Sequence, residues 1–192
     1  MDFQADQLRK ADGSAISNTA LVLIVADTTG NGFASLFDGG QLNVNGLLGG
    51  TDDRVVARFD MTEWENGAAQ NPDSEFELSS VTNWSTNDPL AIFWFPELTL
   101  ASTEIDTNNT YGLFAGPGST GESWITPGES AFTQFLFYTQ SGGTLGTGAF
   151  ASALGNASNT VSAVPEPSVS MLAMAGAMFA VLGRRRRRNR HP

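Results

Sequence analysis

Residues 27–38 read DTTGNGFASLFD, and their oxygen-bearing side chains fall at the alternating positions that a hard divalent cation needs. Asp27 stands at the first position, Thr29 at the third, Asn31 at the fifth, Gly32 at the sharp bend, the Phe33 carbonyl at the seventh and Asp38 at the twelfth. Two departures weaken the match: Thr29 stands where such loops carry a carboxylate or amide, and Asp38 is shorter than the closing bidentate glutamate. Two readings are therefore open. Asp27, Thr29, Asn31, Phe33 and Asp38 form a strand-to-loop calcium site, or the stretch is a polar Asp and Asn-Gly turn after a buried strand.

Other residues invite chemistry less specifically. Glu63/Glu65 and Glu75/Glu77 each place two carboxylates on one side of a strand, about 7 Å apart, a spacing near that of glycosidases. Solvated strand faces produce the same pattern. Trp64, Trp84 and Trp124 sit among polar residues and are candidates for exposed, carbohydrate-stacking faces, whereas Trp94, inside AIFWFP, is expected in the core. The chain has no cysteine, and its single histidine is His191. A Ser-His-Asp triad, a thiol nucleophile and a His-rich or thiolate zinc site in the body are excluded. The expectation is a protein that is not an enzyme.

The elements that must position these residues read as β structure. Residues 19–27 (TALVLIVAD) form a continuous aliphatic run suited to a strand buried on both faces. Further strands are expected within 54–65, 74–81, 90–100 (interrupted by Pro96), 110–115 and 131–140. Stretches rich in Gly, Pro, Asn and Asp separate them, as turns require. Before Ser168 no stretch of ten or more residues has helical periodicity. The expected fold is all-β: one β-sandwich-like domain over residues 1–140, a flexible Gly/Ser/Ala/Thr-rich linker over 141–163, and one C-terminal apolar transmembrane helix.

Charge divides the chain at the same place. All 20 acidic residues and four basic ones precede Ser168, leaving that part at −16, while six arginines follow it at +6. An acidic body repels phosphate backbones, so no nucleic-acid partner is expected and divalent cations are the more natural small ligands. Residues 169–183 are fifteen uncharged, helix-compatible residues, roughly 22 Å long as a helix. That falls short of an apolar bilayer core of about 30 Å, a gap that arginine snorkelling covers. By the positive-inside rule Arg184, Arg185, Arg186, Arg187 and Arg188 stay cytoplasmic and the domain lies outside.

The order Pro165-Glu166-Pro167, apolar helix, arginine cluster resembles the PEP-CTERM sorting signal of bacterial exported proteins. The resemblance covers residues 164–192. It implies a precursor held transiently in the inner membrane and an exosortase that recognises Pro165, Glu166 and Pro167. Cleavage would then deliver the protein to the cell envelope or extracellular space, in association with exopolysaccharide and biofilm. In that reading the body is structural or adhesive; the alternative is a calcium-assisted carbohydrate-binding module. Such precursors carry a leader, whereas residues 1–13 (MDFQADQLRKADG) have no apolar stretch, so the expected start lies upstream of Met1.

Overall fold

The computed structural model describes residues 2–5, 8–33, 35–60, 62, 73–75, 77–115, 124–128, 134–137, 149–150 and 157–163. Of these, 2–5, 73–75, 134–137 and 149–150 are described by backbone alone. In chain order the strands are β1 (Asp2–Ala5), β2 (Leu21–Asp27), β3 (Leu47–Gly49), β4 (Asp53–Phe59) and β5 (Asp73–Glu75), then β6 (Leu90–Phe95), β7 (Thr110–Ala115), β8 (Gln134–Phe137), β9 (Ala149–Phe150) and β10 (Asn159–Thr160). The fold is all-β, as expected. Its centre is one six-stranded sheet in the order β10-β7-β6-β2-β4-β3, antiparallel throughout and curled into a half-barrel. A second sheet has the order β5-β1-β8-β9, with β1 parallel to β8 and β8 parallel to β9.

β2 runs through the middle of the large sheet because its side chains are apolar on both sides. Leu21, Leu23 and Val25 join one core cluster with Phe93, Phe95, Leu36, Leu42, Leu48, Ile105 and Val161. Val22, Ile24 and Ala26 join the other, with Ile92, Trp94, Leu8, Ile16 and Trp124. All seven β2 residues are buried. Each large apolar side chain so buried contributes about 1.5–3 kcal/mol, so this sheet carries two cores, one per face. A bulge at Val56 shifts the β2–β4 register between Ile24 and Val25. It turns both Val56 and Ala57 toward the Trp94 cluster and leaves Val55 in the other.

Pro96 ends β6, since it has no N–H to continue the ladder. Glu97 then holds the start of β7: its carboxylate accepts from the Thr110 hydroxyl at 2.7 Å and from the Thr110 N–H at 3.3 Å. Arg58 ties two loops to the sheet, donating to the Leu100 carbonyl at 2.6 Å and the Ser102 carbonyl at 3.0 Å in one and to Asn43 Oδ1 in the other.

Several expectations need correction. The stretch 141–163 is not simply a linker, because β9 and β10 lie within it and Ala157 and Val161 are buried. The compact unit runs from Met1 to Ser162, beyond the boundary expected at residue 140. Composition concealed this, for β10 is a two-residue strand and its apolar neighbours are isolated. Residues 74–81 were expected as one strand; β5 stops at Glu75 and Leu78–Ser80 form a 3₁₀ turn. Trp124 is buried, 4% exposed, with its ring edge-on to Phe114 at 5.1 Å, rather than facing solvent. Trp84 is half-buried against the same cluster. β1 was not anticipated at all.

Among the described residues no helix is long and apolar enough to cross a membrane. The apolar run 169–183, the motif Pro165-Glu166-Pro167 and Arg184 to Arg188 lie outside the described residues.

Candidate functional site

The end of β2 and the start of β4 lie side by side at one end of the central strands of the large sheet, where Asp27 is in register with Asp53. Asp52, immediately before β4, completes a group of three buried acids; Asp27 and Asp53 are fully buried and Asp52 is 7% exposed. The chain reaches this arrangement through two turns that need left-handed backbone. Gly30 and Gly32 have φ of 72° and 93°, and Gly50 has φ of 62°.

Asp27 organises the loop that follows it. Its Oδ1 accepts from the N–H groups of Gly30 at 2.7 Å and Thr29 at 3.0 Å, and its Oδ2 accepts from the Gly32 N–H at 2.6 Å. Burial by itself would raise the Asp27 pKa. The backbone N–H groups of Gly32, Thr29, Gly30 and Asn31 outweigh it and hold the carboxyl below its ordinary value, so Asp27 is ionised at neutral pH. Asp52 receives the side chains on the other side of the loop: its Oδ2 accepts from Asn31 Nδ2 at 2.7 Å and from the Thr29 hydroxyl. The Asp52 carbonyl accepts from the Thr28 hydroxyl at 3.0 Å.

Of the five residues expected to ligate calcium, Asp27, Thr29 and Asn31 are brought together, but around Asp52 rather than around an open centre. The Phe33 ring packs edge-on against Phe93 at 6.1 Å, joining the core. Asp38 is engaged elsewhere: its Oδ1 accepts from the Thr107 N–H at 3.2 Å, and its own N–H donates to the Ser162 carbonyl at 3.0 Å. Among the described residues no group of three or more His, Cys, Asp or Glu is arranged to hold a metal ion. Thr29 and Asn31 point hydrogens, not lone pairs, at the neighbouring carboxylate. As arranged, the donor set does not fit a hard cation, which requires oxygens converging on one point.

No protein-family model, curated protein or solved structure matches this chain. The reading of the site rests on its own geometry.

That geometry is a polar clasp. Asp27 supplies a fixed negative charge that four backbone donors surround, and Asp52 latches the loop side chains. Sequence reasoning found Asp27, Thr29 and Asn31 but missed Asp52 and Asp53. The adjacent acids in GGTDDR, placed just before a strand, were the available signal. The carboxylate pairs are less informative: Glu63, Glu65 and the Glu75 side chain lie outside the described residues, while Glu77 is exposed and accepts from the Ser79 hydroxyl at 3.4 Å. Trp64 also lies outside them.

Proposed function

We propose that this chain is an exported bacterial protein of the PEP-CTERM kind, with a non-enzymatic body that serves as a structural or adhesive component of the cell envelope or an exopolysaccharide matrix. The observation that carries the reading is the tripartite tail: Pro165-Glu166-Pro167, the apolar residues 169–183, and Arg184 to Arg188. Proline disfavours helix at its own position and at the residue before it, a preference that suits a segment offered to an exosortase ahead of the apolar run. The end of the compact unit at Ser162 supports the reading, since the motif begins beyond it and beyond every described strand.

The body is proposed to be sandwich-like, with the four-stranded sheet covering the Trp94 face of the large sheet. Leu8, shortly after β1, and Val81, after β5, both bury in the cluster on that face. So does Ala157, beyond β9, whose N–H donates to the Arg9 carbonyl at 2.9 Å. The same carbonyl accepts from Trp94 Nε1 at 3.2 Å.

Mass spectrometry of protein extracted from the surface of the producing cell reads both termini. The expected mature form ends near Pro165 to Pro167 and lacks Arg184 to Arg188; a surface form that keeps the arginines refutes processing. The alternative, a calcium-assisted carbohydrate binder, is tested by calorimetry with calcium and with the matrix polysaccharide. Because the Asp27 loop closes on protein donors, the expected result is no heat with calcium.

A further inference from the structure

Two Asn-Gly pairs fall among the described residues, Asn31-Gly32 and Asn45-Gly46. Such pairs are the most labile in proteins because glycine leaves its own N–H unshielded. The deprotonated glycine nitrogen attacks the asparagine Cγ, a C–N bond forms, and the side-chain nitrogen departs as ammonia after taking a proton from water. Water then opens the succinimide at either carbonyl, leaving aspartate or isoaspartate. No oxidant or cofactor is involved. In isoaspartate the backbone runs through Cγ, which adds one atom to the main chain and breaks a tight turn.

Asn31-Gly32 should be the vulnerable pair, for both residues are exposed on a loop. Yet both reacting groups are held. The nucleophile, the Gly32 N–H, donates to Asp27 Oδ2 at 2.6 Å. The leaving group, Asn31 Nδ2, donates to Asp52 Oδ2 at 2.7 Å. An anionic acceptor makes loss of the amide proton harder, and the second bond restrains the carboxamide from swinging onto its neighbour. Two buried carboxylates therefore act on the two ends of a single reaction coordinate. Asn45-Gly46 is restrained by different means: Asn45 Oδ1 accepts from the Thr82 N–H at 2.7 Å, Asn45 Nδ2 donates to the Ser80 carbonyl at 3.0 Å, and the Gly46 N–H donates to the Asn43 carbonyl at 2.7 Å.

We propose that Asp27 and Asp52 form a chemical guard that suppresses succinimide formation at Asn31-Gly32, so that this exposed loop resists spontaneous deamidation while the fold is intact. The proposal does not depend on the sorting reading, although a long-lived matrix protein outside the cell would gain most from it.

The test is peptide mapping of aspartate and isoaspartate in the full chain aged in mildly alkaline buffer, folded and in urea. In the folded protein residue 31 is expected to convert at least about tenfold more slowly than in urea, the rate equivalent of about 1.4 kcal/mol. Asp27→Asn leaves Oδ1 to accept from Thr29 and Gly30 and replaces the oxygen that receives the Gly32 N–H. Conversion at residue 31 is then expected to rise toward the unfolded rate while residue 45 stays slow. Equal rates at residue 31 in folded and unfolded protein overturn the proposal. So does an unchanged rate in Asp27→Asn, and so does a parallel rise at residues 31 and 45, which marks general loosening instead of a local guard.

Discussion

Gly112 faces Trp94 across the β6–β7 pair so closely that a side chain at residue 112 has no room: an added Cβ would overlap Cε2 and Cζ2 of the indole. The ring cannot retreat, because Trp94 is 2% exposed and its Nε1 is bonded to the Arg9 carbonyl. Gly112→Ala is therefore expected to destabilise the protein by about 1–3 kcal/mol or more, read as a lower urea midpoint. Gly128→Ala is the control, since its Cβ would meet only Thr86 Cγ2 at 3.9 Å. There the expected change is within about 0.5 kcal/mol.

Asp27 makes stability depend on acid. Its folded pKa lies below the unfolded value of about 3.9, because the surrounding N–H groups outweigh the opposing effect of burial. Its contribution is thus fully present above the unfolded pKa and is lost as pH falls through the lower, folded one. Asp12, exposed and bonded to Ser14, is lowered as well and acts in the same direction. Urea midpoints measured from neutral pH downward should fall for the wild type. For Asp27→Asn they should be lower at neutral pH and flatter in acid; two parallel curves would show that Asp27 is not the titrating group.

Asn45 combines a left-handed backbone, φ 69°, with a side chain that joins the β2–β3 connection to the turn at Ser80 and Thr82. Substitution separates the two roles. Asn45→Gly keeps the backbone and loses the bonds, with an expected cost of about 1–2 kcal/mol. Asn45→Ala adds the left-handed penalty, about 1 kcal/mol more. Chemical denaturation of the two variants side by side reads the difference; equal stabilities would show that the backbone conformation is not strained.

Arg58 is partly buried, and burial lowers the pKa of its guanidinium. It binds carbonyls of Leu100 and Ser102 and the amide of Asn43. A planar fork of donors suits that task and an ammonium does not. Arg58→Met is expected to cost about 1–3 kcal/mol, and Arg58→Lys to recover only part of it. Hydrogen exchange should locate the loss at residues 100–103; full recovery by lysine would reduce the clamp to simple charge.

How much was legible beforehand follows from how local each signal is. β2 and β7 were readable nearly residue for residue, because a run of six buried aliphatics closed by Asp27 and the six residues TYGLFA carry their own pattern. The core position of Trp94 was readable for the same reason. β10 and the buried Trp124 were not, since each owes its place to partners far away in the chain: β10 to β7, and Trp124 to Phe114.

The calcium-like spacing shows the division most clearly. Sequence alone determined that residues 27–32 carry an acid, three polar side chains and two glycines free to adopt left-handed backbone, because composition and local backbone preference reside in the residues themselves. It also determined the charge division between an acidic body and an arginine tail. Only the tertiary structure decided where those side chains bond. Antiparallel pairing of β2 with β4 brings Asp52, 25 positions from Asp27, to the loop. Hydrogen bonds form with whichever partner the register supplies, so a spacing that resembles a cation loop becomes a clasp between two carboxylates.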